Sequence, residues 1–195
     1  MRLGVFGGTF DPPHVGHLLA AVDAVEALAL DRLLLVPAAQ QPLKVRAESA
    51  APEHRLAMAR LLAGDDPRFD VDPIEMDRAG LSYTVDTLGE LARRLPDAEL
   101  FFVVGADALE TFPRWREPRR VLELARLAVL RRASDTMELP ALMREVPGRE
   151  PIVLASRRVD VSSTEVRARV RAGLSIRGFV PDAVAAYVAE TRLYR

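Results

Sequence analysis

The segment Gly4-Val5-Phe6-Gly7-Gly8-Thr9-Phe10-Asp11-Pro12-Pro13-His14-Val15-Gly16-His17 constrains this chain more than any other. A short apolar strand runs into paired glycines, a proline turn follows, and two histidines stand where a helix should begin. Gly7 and Gly8 let the backbone turn sharply and approach a ligand without side-chain collision. The amides of Thr9 and Phe10 then offer donors to phosphate oxygens, and Pro12 and Pro13 stiffen the turn and suit a helix start. His14 and His17 are three apart, so on a helix they share one face. A helix N-terminus favours anions through its free amides and its dipole. The arrangement suits a grip on the phosphates of a nucleotide. It misses the G-x-G-x-x-G dinucleotide pattern, and no Gly-Lys-Ser/Thr follows as in a Walker loop. Taken alone, His-x-x-His also fits a capped helix start or a metal pair, although two ligands do not make a zinc site.

The rest of the chain alternates strand and helix patterns. Strands are predicted over 2–6, 32–36, 69–71, 100–104, 127–130 and 152–155. Helices are predicted over 15–29, with Leu18, Leu19, Val22, Val25 and Leu28 on one side, and over 53–63, 84–94, 164–172 and 182–190. A proline- and glutamine-rich loop occupies 37–49. Such alternation points to an α/β fold, a Rossmann-like doubly wound parallel sheet. Residues 1–195 are expected to form a single domain with a small helical C-terminal part from about 156. In a 3-2-1-4-5 strand order, the strands at Arg2 and Leu100 flank the crevice where ligands bind. Both end near glycine, Gly7-Gly8 and Gly105, and both run on into polar sequence.

Composition narrows the function classes. At 195 residues and 49% hydrophobic content, a sizeable core is expected rather than disorder. The net charge of -1 argues against a dedicated nucleic-acid binder. There is no cysteine, which excludes thiolate metal sites and suits a reducing cytoplasm. No run of roughly 18 apolar residues is present to span a membrane, and strand pattern begins at once, without room for a signal peptide. Of 27 basic residues only Lys44 is a lysine. Codon bias explains the arginines; a retained lysine supplies a compact point charge that a planar guanidinium does not imitate. His54 stands in an ordinary helix start without acidic partners and reads as structural or solvent-facing.

The first segment resembles the nucleotidylyltransferase superfamily, whose hallmark is a Gly-x-Phe-x-Pro-x-His-x-x-His type motif matched by Gly8 to His17. A second hallmark, Ser-Ser-Thr-x-x-Arg, is matched by Ser162-Ser163-Thr164-Glu165-Val166-Arg167. Locally the same residues make a capping box through Ser162 and Glu165; both readings hold together, because a capped helix start also presents amides to phosphate. Within the superfamily the chain is most similar to the bacterial nicotinate-nucleotide adenylyltransferases, over essentially its whole length. Ser82-Tyr83-Thr84-Val85-Asp86-Thr87-Leu88, Gly105-Ala106-Asp107-Ala108-Leu109 with Trp115, and Val180-Pro181 carry that likeness. The family's Pro-Pro-His-Lys lead-in reads Gln41-Pro42-Leu43-Lys44 here, so its imidazole is replaced by Leu43.

The resemblance implies AMP transfer from ATP to nicotinate mononucleotide, with Mg²⁺ carried mainly on the ATP phosphates and no dedicated protein metal site. It implies His14, His17, Lys44 and Arg167 as catalytic residues. ATP would lie along Gly8, Thr9, Phe10, Gly105, Asp107 and Ser162 to Thr164. The nicotinate nucleotide would meet Lys44, Tyr83, Thr84, Trp115 and Arg116, with the Thr84 and Arg116 amides on its carboxylate. Each residue also has a plainer reading: Trp115 as a core or surface tryptophan, Asp107 as a helix N-cap, Thr87 as packing. Phosphopantetheine adenylyltransferase-like chemistry and a non-catalytic nucleotide sensor are the alternatives. A homo-oligomer is compatible with the sequence.

Overall fold

The computed structural model describes residues 1–40, 49–78, 80–131, 140–144, 146, 148–157 and 159–195. Lys44 and Leu43 fall outside the described residues. Six strands form one parallel sheet: β1 (Arg2–Gly8), β2 (Arg32–Pro37), β3 (Phe69–Val71), β4 (Glu99–Gly105), β5 (Arg126–Arg131) and β6 (Ile152–Ala155). Their order is β3-β2-β1-β4-β5-β6. The predicted crevice strands, β1 and β4, are neighbours, with Leu3 opposite Leu100 and Val5 opposite Phe102.

The strands read as continuous apolar runs because both faces of the sheet are covered. Successive side chains point to opposite faces, and the burial follows that parity. Leu3, Val5, Leu34, Val36, Leu100, Phe102, Leu127 and Val129 share one core with Val85, Leu88 and Leu91 of helix α4 (Thr84–Arg94). Val121 and Leu122 of helix α6 (Pro118–Leu124) join them. Phe6, Leu33, Leu35, Phe101, Val103, Ala128 and Leu130 pack on the other face against α1 (Val15–Leu28) and α2 (Pro52–Ala63). Helix α1 buries Val25 and Leu28 of the predicted stripe, with Leu18 and Val22 packed against the same core, and adds the small Ala21 and Ala24 where it meets the sheet. It ends at Ala29, whose left-handed backbone (φ 47°) closes the last turn.

A third cluster joins α2 to the C-terminal helices α7 (Ser163–Arg171) and α8 (Asp182–Glu190), through Met58, Val166, Ile176, Val180, Val184 and Val188. His54 belongs to this interface as well: its Nδ1 lies 2.8 Å from the Tyr187 hydroxyl. Among the described residues no helix is long and apolar enough to cross a membrane.

Three short helices escape the sequence pattern: α3 (Ile74–Asp77), α5 (Asp107–Thr111) and α6. Helix α3 matters because it seats the N-terminus of α4. The Thr87 hydroxyl donates to buried Glu75 Oε1 at 2.7 Å and accepts from Arg78 Nη2 at 3.0 Å. Thr87 is therefore a packing residue, as its plainer reading holds. The Ser82 hydroxyl accepts from the Ala39 amide at 2.9 Å, which ties the entry to α4 to the exit from β2.

Burial raises the Glu75 pKa above the ordinary carboxyl value, partly offset by hydrogen bonds from Ser82 and Thr87 and by the Arg78 charge. A raised folded-state pKa favours the protonated acid, so this contribution to stability is present below the unfolded pKa and is lost as pH rises through the folded one. Glu75→Gln keeps the acceptor oxygen and does not ionise. Its thermal midpoint is expected to gain on the wild type as pH rises from 5 to 8, read by melting curves across that range; a constant difference would refute the assignment.

Candidate active site

One cavity of about 1120 Å³ opens at the carboxyl ends of β1, β4 and β5. Every site residue singled out in the sequence lines it, apart from Lys44, which lies outside the described residues. Segments as distant as Gly8, Tyr83, Trp115 and Arg167 meet there.

The signature turn is built differently from its reading as a glycine hinge. Gly7 and Gly8 belong to β1. The left-handed residue is Phe10, at φ 50°, a conformation that is uncommon for a bulky side chain. It drives the Phe10 ring back over the strand. A Cβ on Gly8 would come within 3.0 Å of that ring, so glycine is needed for room rather than for the turn. Phe10 is 1% exposed and supports the histidine pair from beneath, its ring 5.1 Å from that of His17. The prolines do not open the helix, since α1 starts at Val15 with His14 as its N-cap.

The His14 and His17 rings lie against each other, tilted by 38° with centroids 3.8 Å apart. The His14 backbone N–H donates to His17 Nδ1 at 3.2 Å, so that nitrogen is unprotonated and the proton sits on Nε2. His17 thus caps the helix with one nitrogen and keeps the other as a donor. Gly16 leaves room for the second ring: a Cβ there would stand 3.0 Å from His14 Nδ1. Burial lowers the His14 pKa to about 4. Burial first, and the neighbouring His14 second, hold His17 well below the usual imidazole range. Both rings are therefore neutral near pH 7, a pair of hydrogen-bonding groups rather than two standing charges.

The second hallmark segment docks directly onto this turn. The Ser162 hydroxyl accepts from the Glu165 amide at 3.1 Å and caps α7 as expected. The Ser163 hydroxyl donates to the Pro12 carbonyl at 2.8 Å. Arg167 Nη1 donates to the Asp11 carbonyl at 2.6 Å, and Nη2 to Thr164 Oγ1 at 3.3 Å. Arg167 is 6% exposed, and its guanidinium also lies 3.7 Å from Asp11 Oδ2.

Across the cavity, Trp115 is both a packed and a lining residue. Its ring lies 5.2 Å from Phe112 and 6.1 Å from Phe102, and its indole N–H donates to Thr111 Oγ1 at 3.2 Å. That fixes the plane of the indole. The Arg116 guanidinium sits 4.9 Å above the Tyr83 ring and 3.3 Å from Asp86 Oδ2. Thr84 is the first residue of α4, so its amide has no intrahelical acceptor. Asp107 is already inside α5, whose N-cap is Ala106, which removes its N-cap reading. Its Oδ1 folds back to within 2.5 Å of where a Cβ on Gly105 would stand, so glycine there makes room for the carboxylate. Among the described residues no three His, Asp or Glu side chains gather as a metal cage.

Asp11, Glu75 and Arg157 are among the lining residues that carried no role in the sequence. Asp11 sits inside the first motif but is 2% exposed and bonds inward. Glu75 is the buried acid of a four-residue helix that also carries Asp77. Arg157 reaches the cavity from beyond β6, held by Asp23 at 3.1 Å. Only the position of Asp11 within the motif offered a signal.

The cytidylyltransferase-like family model matches residues 5–169. A protein of Gemmatimonas aurantiaca named "Probable nicotinate-nucleotide adenylyltransferase" is 55% identical over 197 aligned positions, covering 100% of this chain and 93% of that one. One of the same name from Thermus thermophilus is 46% identical, with 100% of both chains covered. Among solved structures, Plasmodium falciparum nicotinic acid mononucleotide adenylyltransferase complexed with NaAD superposes with a TM-score of 0.79, covering 99% of this chain and 97% of that one. At 15% identity that likeness speaks to the fold. A motif-bearing sheet of this topology, matched over its full length by such relatives, belongs to the nicotinate-nucleotide adenylyltransferases of the cytidylyltransferase-like family.

Proposed function

We propose that this chain transfers AMP from ATP to nicotinate mononucleotide, forming nicotinate adenine dinucleotide and pyrophosphate. The observation that carries this reading is the meeting of the His14/His17 turn and the Ser162–Arg167 helix start at one cavity, with Trp115 and the start of α4 in its wall. An oxygen of the mononucleotide 5′-phosphate attacks the α-phosphorus of ATP, and the bond from that phosphorus to the bridging oxygen breaks. The nucleophile is already anionic, so no general base is needed. Catalysis then rests on positioning and on stabilising charge in the phosphates. His14 and His17 donate to the bridging and α/β-phosphate oxygens. Arg167 and the amides near Ser163 take the leaving pyrophosphate, and Asp107 takes the ribose hydroxyls. Lys44 guides the incoming phosphate. Mg²⁺ arrives with ATP as its phosphate complex, which suits a cavity whose buried Asp11 is already occupied by protein donors.

At the pyridine end, the indole of Trp115 offers a flat face to a cationic ring. The amides of Thr84 and Arg116 donate to the carboxylate. Nicotinamide mononucleotide brings an NH₂ donor to the same donors and is disfavoured. Losing one charge-assisted hydrogen bond of roughly 1.5–3 kcal/mol corresponds to a preference of about tenfold to a hundredfold for the acid. Initial rates with the two mononucleotides measure it; equal kcat/KM values would refute the carboxylate contact.

Replacing one transition-state donor costs on the order of 10²–10³ in kcat. His17→Ala is expected to lose that much with its circular dichroism unchanged, and wild-type turnover would remove His17 from the reaction. The neutral histidines make a second expectation. Their lowered pKa values mean that stability is present above the ordinary imidazole value and is lost as pH falls toward about 4. Bound phosphates favour the protonated rings, so ATP binding takes up protons increasingly as pH falls from 7 to 5. Calorimetry in buffers of different ionisation heat reads this, and zero uptake would count against phosphate contact. Turnover of phosphopantetheine in place of the mononucleotide would move the assignment within the family.

A further inference from the structure

Tyr194 lies far from the cavity in sequence, yet its hydroxyl donates to Asp11 Oδ1 at 2.7 Å. Asp11 is the one carboxylate within the signature turn. Its other contacts are the Ala50 amide to Oδ1 and the Ser49 hydroxyl to Oδ2, both at 3.2 Å, and Arg167 Nη1 at 3.7 Å from Oδ2. A guanidinium as buried as that of Arg167 needs a paired and oriented counter-charge. The carboxylate has two torsions with which to turn away, and the phenol closes them. Tyr194 is itself held firmly. Its backbone is left-handed, with φ 67°, a disfavoured conformation that persists only where the surroundings impose it. Its side chain packs with the cluster joining α2, α7 and α8. Burial, and secondarily the Asp11 charge, push its pKa upward, so the hydroxyl stays protonated and able to donate.

The fold does not consume the whole guanidinium. Arg167 Nε has no hydrogen-bond partner among the described residues, and the side chain lines the cavity. Arg55 pins the surrounding backbone from the opposite side. Its Nη1 donates to the carbonyls of Thr9 (3.1 Å) and Ala38, and Nη2 to that of Ala39 at 3.0 Å. Arg55 thus sets the backbone frame, and the Asp11 carbonyl and Thr164 hydroxyl hold the two Nη atoms of Arg167; the side-chain relay from Tyr194 through the Asp11 carboxylate reaches Arg167 as an ion pair at 3.7 Å.

We propose that Tyr194 is a positioning residue: it fixes the Asp11 carboxylate and thereby aims Arg167 at the pyrophosphate end of the cavity. The proposal rests on the phosphate reading given above. Tyr194→Phe keeps the ring and removes only the donor. Magnesium pyrophosphate, titrated calorimetrically into the full chain, is expected to bind about tenfold more weakly to this variant, the effect of one lost hydrogen bond to a charged group. In turnover, the KM for nicotinate mononucleotide is expected to hold while kcat/KM for ATP falls by a similar factor. In an Arg167→Lys background the Tyr194→Phe change is expected to add nothing, because the relay then has no guanidinium to aim. Wild-type pyrophosphate affinity in Tyr194→Phe, or an undiminished effect in the Arg167→Lys background, would overturn the relay. A lowered melting temperature with both substrates' constants unchanged would overturn it too, leaving Tyr194 a purely structural role. Failure of the wild type to join ATP and nicotinate mononucleotide is a separate result, against the proposed reaction.

Discussion

The chain leaves β1 in one direction and returns to β4 on its other side, and everything at the site depends on that reversal. With β2 and β4 on opposite flanks of β1, the segments beyond Gly8 and Gly105 must part, and a cleft opens at the carboxyl edge of the sheet. The apolar parity of the strands makes the sheet rigid from both faces. The cleft walls can therefore be loops and helix starts, elements whose backbone amides are not all spent on the fold.

Polar groups in those walls are held by other polar groups rather than by the core. Asp11 lies near two guanidiniums of opposite elements, Arg55 of α2 and Arg167 of α7. The Ser163 hydroxyl meets the Pro12 carbonyl. Such ties join parts of the chain about 150 residues apart, as between Pro12 and Ser163, and leaving any partner unmatched would carry the full cost of a buried polar group. The histidine pair solves a related problem differently. Packed against each other and half-buried, the two rings stay neutral near pH 7, so the cavity wall carries no unpaired imidazolium.

Much of this was legible in the sequence. Runs such as Leu100–Val104 announce buried parallel strands, and β3, β6, α4 and α8 fall on the predicted bounds. The helices α3, α5 and α6, of four, five and seven residues, are too short to show a helical period. The signature motif pointed to the right turn with the wrong mechanics. It is Phe10 that bends, and Gly8 that makes way. Glu75 and Tyr194 carry no local pattern, because what distinguishes them is a partner elsewhere in the chain.

The sequence by itself determined the chemistry on offer: two imidazoles at a helix start, a capped serine-rich helix with Arg167, one tryptophan, and the motifs that place the chain in its family. These are local, since spacing along a helix or through a turn decides which side chains share a surface. Tertiary structure alone decided which nitrogen of His17 is free, how deeply Arg167 is buried, and that a phenol near residue 194 reaches the turn at residue 11. Those outcomes depend on burial and on distances between elements that meet only when the sheet and its third hydrophobic cluster have closed.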